Sequence, residues 1–222
     1  FEVGLNLIDK YADQKMVDGI MKDLVNFKKS SQPFVLSVGF LKPHLPFNAP
    51  LKYWDLYDKK DIQLAKNRFQ PKNTPKIAMH HYAELRKYLN IPNDKSVEIP
   101  DSIQLKLIHG YYACISFVDD QIGRLVSKLK ELDLYNDAII VFVGDHGWQL
   151  GEHNLWAKHC NFQTSLKVPL LIKYPNQTES KKINSVVELV DIFPTLCDIS
   201  NLDYPKHLQG KSLTSINKKD NS

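Results

Sequence analysis

Ala138-Ile-Ile-Val-Phe-Val-Gly-Asp-His-Gly-Trp148 is the stretch whose reading decides the fold. Its unbroken apolar run is mostly β-branched or aromatic and enters Gly144-Asp145-His146-Gly147. Such a run reads as a strand buried on both faces, as in a parallel sheet. Open α/β sheets place their chemistry just beyond the carboxyl ends of strands. Asp145 and His146 fall there, between glycines that let backbone approach closely. A carboxylate beside an imidazole at such a position suits a divalent cation.

The flanking chain supports an α/β reading. Upstream, Ile103 to Leu132 has helical spacing, with Ile108, Tyr111, Ile115, Val118, Ile122, Leu125, Val126 and Leu129 predicting one apolar stripe. Asp119-Asp120 resembles a metal pair but falls on the polar side of that helix, as a solvated face. Helix followed by the Ala138–Val143 strand makes a crossover unit. Val168–Tyr174 predicts a further strand, and Val186–Cys197 an amphipathic segment. Asp13 to Lys29 carries Met16, Val17, Ile20, Met21, Leu24 and Phe27 at helical spacing, and Ser30-Ser-Gln-Pro33 breaks it. Phe34–Phe40 then predicts a second buried strand, running into Leu41-Lys-Pro-His-Leu-Pro-Phe47. The prolines there forbid helix, so His44 is held at a strand's carboxyl end, as Asp145 is. Residues 48–100 are a long irregular excursion rich in Pro, Lys and Tyr, with short helices expected near Leu51–Tyr57 and Met79–Leu89. A connection of that length inside a domain is usually functional, and it is read as one wall of a cleft. Lys206–Leu213 closes with a glycine turn, and the polar tail from Asn217 is expected to fray.

The bulk composition narrows the function classes. The 222 residues suffice for one large core, with 43% hydrophobic and 24% charged residues. Net charge is +4, but the lysines are scattered and arginine is confined to Arg68, Arg86 and Arg124. No basic stripe interleaved with aromatics appears, which argues against nucleic-acid binding. No apolar run reaches the length of a membrane span. Cys114, Cys160 and Cys197 are far apart and suggest neither a disulfide framework nor a zinc site; Cys114 and Cys197 read as core residues. Asn176-Gln-Thr178 is a glycosylation sequon, relevant only in a secreted eukaryotic protein.

Three stretches together carry a family resemblance: Lys42-Pro-His-Leu-Pro-Phe47, Gly144-Asp-His-Gly-Trp-Gln-Leu-Gly-Glu-His153 with Trp156-Ala-Lys158, and Val187-Glu-Leu-Val-Asp-Ile-Phe-Pro-Thr195. In this order and spacing the chain resembles a type I sulfatase, nearest to the iduronate-2-sulfatase-like branch, over about Asp13 to Leu213. The resemblance implies the alkaline-phosphatase-like α/β fold, with a mostly parallel central sheet flanked by helices. It implies a single calcium ion and a formylglycine nucleophile made from a Cys or Ser. By the same resemblance Asp145 and His146 are calcium ligands, His44 touches the sulfate ester and Lys158 touches the sulfate and leaving oxygen. His153, Trp156 and His159 are expected to line the substrate cleft, and Trp148 either stacks on a sugar or packs in the core. The implied substrate is a sulfated sugar or polysaccharide, and the implied compartment is periplasmic, secreted or lysosomal.

Parts of the family pattern are missing. No cysteine is followed by x-Pro-x-Arg, and in Ser31-Gln-Pro-Phe-Val35 the valine stands where arginine is needed. The family's first pair of calcium aspartates has no match either. The expectation is therefore an internal segment, the central and C-terminal part of one catalytic domain, whose N-terminal part supplies the nucleophile. Such a segment is expected to be inactive alone and to expose an apolar sheet edge. Two other readings stay open: a phosphodiesterase or phosphonate hydrolase of the same superfamily, or a non-catalytic protein that binds sulfated sugar.

Overall fold

The computed structural model describes residues 11–30, 32–80, 83–94 and 96–219; the readings made on Ser31, His81 and Tyr82 lie outside them. The chain divides into two compact units, Phe1–Tyr135 with Val143–Leu170, and Asn136–Phe142 with Leu171–Ser222. The first holds the core and the candidate site.

Helix α1, Ala12–Ser30, forms where the apolar spacing predicts it and buries Val17 and Leu24. Its first turn also buries Asp13, whose carboxylate accepts the backbone N–H groups of Leu41 (2.9 Å) and Lys42 (3.0 Å). An acid in a helix's first turn favours the dipole; here it also ties the segment leading to His44 onto α1. Between Asn48 and Pro100 the chain makes the short helix α2, Leu51–Trp54, and 3-10 turns at Lys59–Asp61, Lys76–Ala78 and Leu85–Lys87. A 3-10 turn stands in place of the helix expected near Met79–Leu89. This excursion is not a solvated loop. It buries Tyr53, Trp54, Ile62, Leu85, Ile91 and Ile99, and the guanidinium of buried Arg86 donates to the carbonyls of Pro92, Asp94 and Val97.

Helix α3, Asp101–Glu131, is the longest element, with Asp101 in its first turn and Lys128 and Lys130 in its last. These charges complement the dipole at each end. Its buried face overlaps the predicted stripe only in part, at Ile108 and at Tyr111, which packs against the core. Leu107, Ile108, Gly110, Ala113, Cys114, Phe117 and Gln121 are buried, whereas Ile115 is 44% exposed. Small residues decide this. A Cβ on Gly110 would lie 2.8 Å from the Trp54 ring and 3.0 Å from Phe47 Cβ, so the neighbours close in on the side with least bulk. Asp120 is exposed as expected, and accepts a hydrogen bond from the Tyr53 hydroxyl (2.5 Å). Burial pushes the Cys114 thiol up to about 12 and the Tyr111 phenol up to about 12, so both stay protonated.

Of the three strand predictions, those at Ala138–Val143 and Val168–Tyr174 form strands and that at Phe34–Phe40 does not. Strand β1, Ile140–Val143, forms and is hydrogen-bonded to a later strand. Phe34–Phe40 forms no strand, and Val35 is wholly exposed. Nor is β1 buried on both faces, for Phe142 and Val143 are exposed. The cause is the same in both cases: apolar composition promises burial, but a strand needs hydrogen-bonded neighbours to deliver it. Past the Asp-His turn, β2 (Gln149–Leu150) and β3 (Trp156–Ala157) pair antiparallel, Gln149 opposite Ala157. A one-turn helix α4, Gln163–Leu166, precedes β4, Leu170–Lys173, the partner of β1.

In the second unit, Lys173 Nζ donates to the carbonyls of Asn136 and Ala138. Helix α5, Ile192–Ile199, and helix α6, Thr214–Lys219, are the last elements among the described residues. The Val187–Thr195 motif is here a staple. Asp191 accepts the N–H groups of Glu188 (2.9 Å) and Lys211 (2.8 Å). Fully buried Thr195 donates to the Asp191 carbonyl (2.6 Å) and accepts from the Leu213 N–H (2.9 Å). No helix among the described residues is long and apolar enough to cross a membrane.

Candidate functional site

The Asp-His turn follows β1 and is clamped by α4. Gly147 N–H donates to the Ser165 carbonyl at 2.8 Å, and a Cβ on Gly147 would lie 1.9 Å from the Thr164 carbonyl oxygen. Only glycine fits. Behind the turn, fully buried Gln149 donates through Nε2 to Thr164 Oγ1 (2.8 Å) and Ser165 Oγ (3.2 Å), and Cys160 Sγ lies 3.2 Å from Ser165 Oγ. Sequence reading missed this polar support, because nothing in the spacing of Gln149, Cys160 and Ser165 announces it.

The turn leaves Asp145 open, its side chain 89% exposed. His146 lies against it, with Nε2 3.5 Å from Asp145 Oδ2 and Nδ1 2.8 Å from the Gly147 carbonyl. A carbonyl oxygen can only accept, so Nδ1 carries the hydrogen. In the neutral ring Nε2 is then a bare lone pair facing a carboxylate oxygen. With Nδ1 engaged, Nε2 is the ring nitrogen left to ligate a cation beside the carboxylate. That donor pair fits a corner of a cation site. Calcium takes roughly six to eight oxygen ligands, and among the described residues no group of three or more His, Cys, Asp or Glu could hold a metal. Any further ligands must come from elsewhere.

Trp148 gathers the rest. Its ring meets His44 edge-on at 5.7 Å, His146 at 6.1 Å and the Lys158 ammonium at 5.4 Å from the centroid. Residues from 114 positions apart in sequence thus converge on one indole, His44 from the Asp13-anchored segment and Lys158 from just beyond β3. Trp148 itself is only 8% exposed and packs against Phe47 (5.8 Å) and Tyr111 (6.3 Å). It is a floor under the site, with no free face for a sugar. Trp156 is 1% exposed, so the expectation that it lines the cleft is corrected: pairing in β2–β3 turns it into the core. His153 and His159 make their ring contacts with other residues, His153 with Phe162 at 4.3 Å and His159 with His80 at 6.1 Å.

His44 sits between Lys42-Pro43 and Leu45-Pro46, both cis. Its Nδ1 donates to the Leu45 carbonyl at 3.0 Å, and its Nε2 faces Glu84 Oε1 at 3.3 Å. Lys42 Nζ donates to the carbonyls of Pro46 (2.5 Å) and His44 (3.4 Å), and burial lowers its pKa. Glu84 had no signal in the sequence, since the excursion that carries it has no period.

Fold and site together define a partial α/β chain of the alkaline-phosphatase-like kind. Two solved structures align over most of it. A phosphonate monoester hydrolase from Silicibacter pomeroyi has a TM-score of 0.74 and 23% identity, over 91% of this chain and 40% of that one. A protein in complex with its substrate D-glucosamine-2-N,6-O-disulfate has a TM-score of 0.72 and 21% identity, over 95% and 53%. At those identities they show the fold alone. The chain belongs to the sulfatase family, whose model matches residues 2–202. Human iduronate 2-sulfatase is 34% identical over 223 aligned residues, 87% of this chain and 40% of its own length. The chain thus spans about two fifths of the curated relative it matches.

Proposed function

We propose that the protein carrying this chain hydrolyses a sulfate ester of a sugar or polysaccharide, in the manner of the iduronate-2-sulfatase-like branch. The observation that supports it is the convergence of His44, His146 and Lys158 on the Trp148 ring, beside the open carboxylate of Asp145. Each group suits one part of sulfate transfer. Asp145, with His146 Nε2 as its weaker companion, would hold a calcium ion. When bound, that ion supplies fixed positive charge where negative charge spreads over the sulfate oxygens. Lys158 would add a second positive charge beside the indole. With His44 Nδ1 taken by the Leu45 carbonyl, Nε2, which faces Glu84, is the nitrogen that would pass a proton to the departing alcohol oxygen. The formylglycine nucleophile and the remaining calcium ligands belong to a part of the protein outside this chain. That part would also cover the exposed Phe34–Leu36 stretch and β1. Residues 1–222 alone are accordingly expected to be inactive.

The experiment is metal analysis of the full-length protein together with turnover of aryl sulfate, aryl phosphonate and sulfated oligosaccharide. One calcium per protein with sulfate release supports the reading. Two zinc or manganese ions with phosphonate turnover would replace it by the phosphoesterase reading. Tight binding of sulfated oligosaccharide without turnover would make the protein a binder.

A further inference from the structure

Glu84 is a charged group that the sequence reading passes over and the fold delivers to His44. Its Oε1 lies 3.3 Å from His44 Nε2, and both side chains are partly buried. His44 Nδ1 lies 3.0 Å from the Leu45 carbonyl, which can only accept, so Nδ1 carries a hydrogen. An ionised carboxylate also only accepts. Both contacts are satisfied together only when Nε2 carries a hydrogen as well. The contact is an ion pair only when the ring is doubly protonated.

Neither partner is placed by chance. His44 is held from below by Asp13, which takes the N–H groups of Leu41 and Lys42, and from the side by the edge of Trp148. Glu84 precedes a 3-10 turn whose Leu85 and Arg86 are both buried. Arg86 fixes that turn through the carbonyls of Pro92, Asp94 and Val97. Burial raises the Tyr88 phenol, and the neighbouring Glu84 raises it further. The long excursion thus has a definite output, one carboxylate set against one imidazole.

We propose that Glu84 is a positioning residue for His44, keeping a proton on Nε2 and fixing the orientation of the ring. This rests on the sulfatase reading above. During ester cleavage the Nε2–H bond breaks and an O–H bond forms on the departing alcohol. The imidazolium becomes neutral imidazole, still carrying its Nδ1 hydrogen, and Glu84 remains ionised throughout.

The test uses the full-length protein and Glu84→Gln. A glutamine keeps the shape, but its amide can donate to Nε2 and so favours the ring without a proton there. The expected kcat on phenyl or sugar sulfate falls about 10- to 100-fold, less than the roughly 10²–10⁴ of losing the acid itself, with KM nearly unchanged. A nitrophenyl sulfate, whose leaving group needs no proton, is expected to lose far less. Glu84→Asp is expected to restore part of kcat. Histidine ¹⁵N spectra of the same proteins should show both His44 ring nitrogens protonated in the parent and only Nδ1 in Glu84→Gln. Unchanged kcat in Glu84→Gln overturns the proposal, and so does a parent His44 with a bare Nε2. If the parent turns over no sulfate at all, the sulfatase reading fails, while the spectra still decide whether Glu84 sets the proton on His44.

Discussion

Two acid-bearing motifs look alike in the sequence and end in opposite roles. Asp191 and Thr195 stand at the start of α5, and Asp145 and His146 stand at the end of β1. Around Asp191 the protein consumes the polar capacity itself: both carboxylate oxygens take backbone N–H groups, and the Thr195 hydroxyl both donates and accepts. Around Asp145 only one oxygen has a backbone partner, the N–H of its neighbour His146, and the side chain is otherwise open. Backbone that consumes a carboxylate makes a fastening; backbone that merely aims one makes a site. Family motifs do not distinguish these outcomes, but hydrogen-bond accounting does.

The comparison can be broken by experiment. The largest effect is expected from Asp145→Ala in the full-length protein: sulfate turnover falls at least about 100-fold and calcium is lost, with little change in melting temperature. Wild-type calcium content in that variant would remove Asp145 from the site. Lys158→Ala is next, with an expected loss on the order of 10²–10³ in kcat, in line with removing one preorganised charge-stabilising donor. Equal rates in Lys158→Ala and parent would leave the ammonium as a surface group resting on Trp148. Asp191→Ala should behave in reverse, losing roughly 1.5–3 kcal/mol of stability from hydrogen bonds to a charged group while metal content is unchanged. A denaturant midpoint equal to the parent's would refute the staple. The smallest effect is chemical. Iodoacetamide is expected to label Cys160 before Cys114, since burial holds the Cys114 thiol near 12 and removes it from solvent. Simultaneous labelling by mass spectrometry would contradict the buried α3 face.

What the sequence disclosed follows from which physical signal each element depends on. Helices α1 and α3 were legible because a helix satisfies its own backbone and shows its period in the chain. The buried face of α3 was not, because Gly110 and Ala113 attract neighbours by lacking bulk while the larger Ile115 is left outside. Phe34–Phe40 misled for a different reason, since a strand is a property of its neighbours and these lie in no pairing here. Asp145, His146 and His44 were found from their places beyond apolar runs and Lys158 through motif resemblance, and the fold brings His44, His146 and Lys158 to Trp148. Glu84 and Asp13 were invisible. One is delivered by an aperiodic excursion, the other looks like an ordinary first-turn acid, and both act across 28 or more positions of sequence.

The contact at Gly147 has a consequence for anyone who would redesign this chain. A side chain there would collide with the Thr164 carbonyl, and backbone cannot step aside as a rotamer can. A randomised library at position 147 should therefore return its parent letter and little else. Retuning the reach of Asp145 and His146 means rebuilding Phe162–Leu166 in the same stroke, because the turn and the helix that faces it form one editable unit.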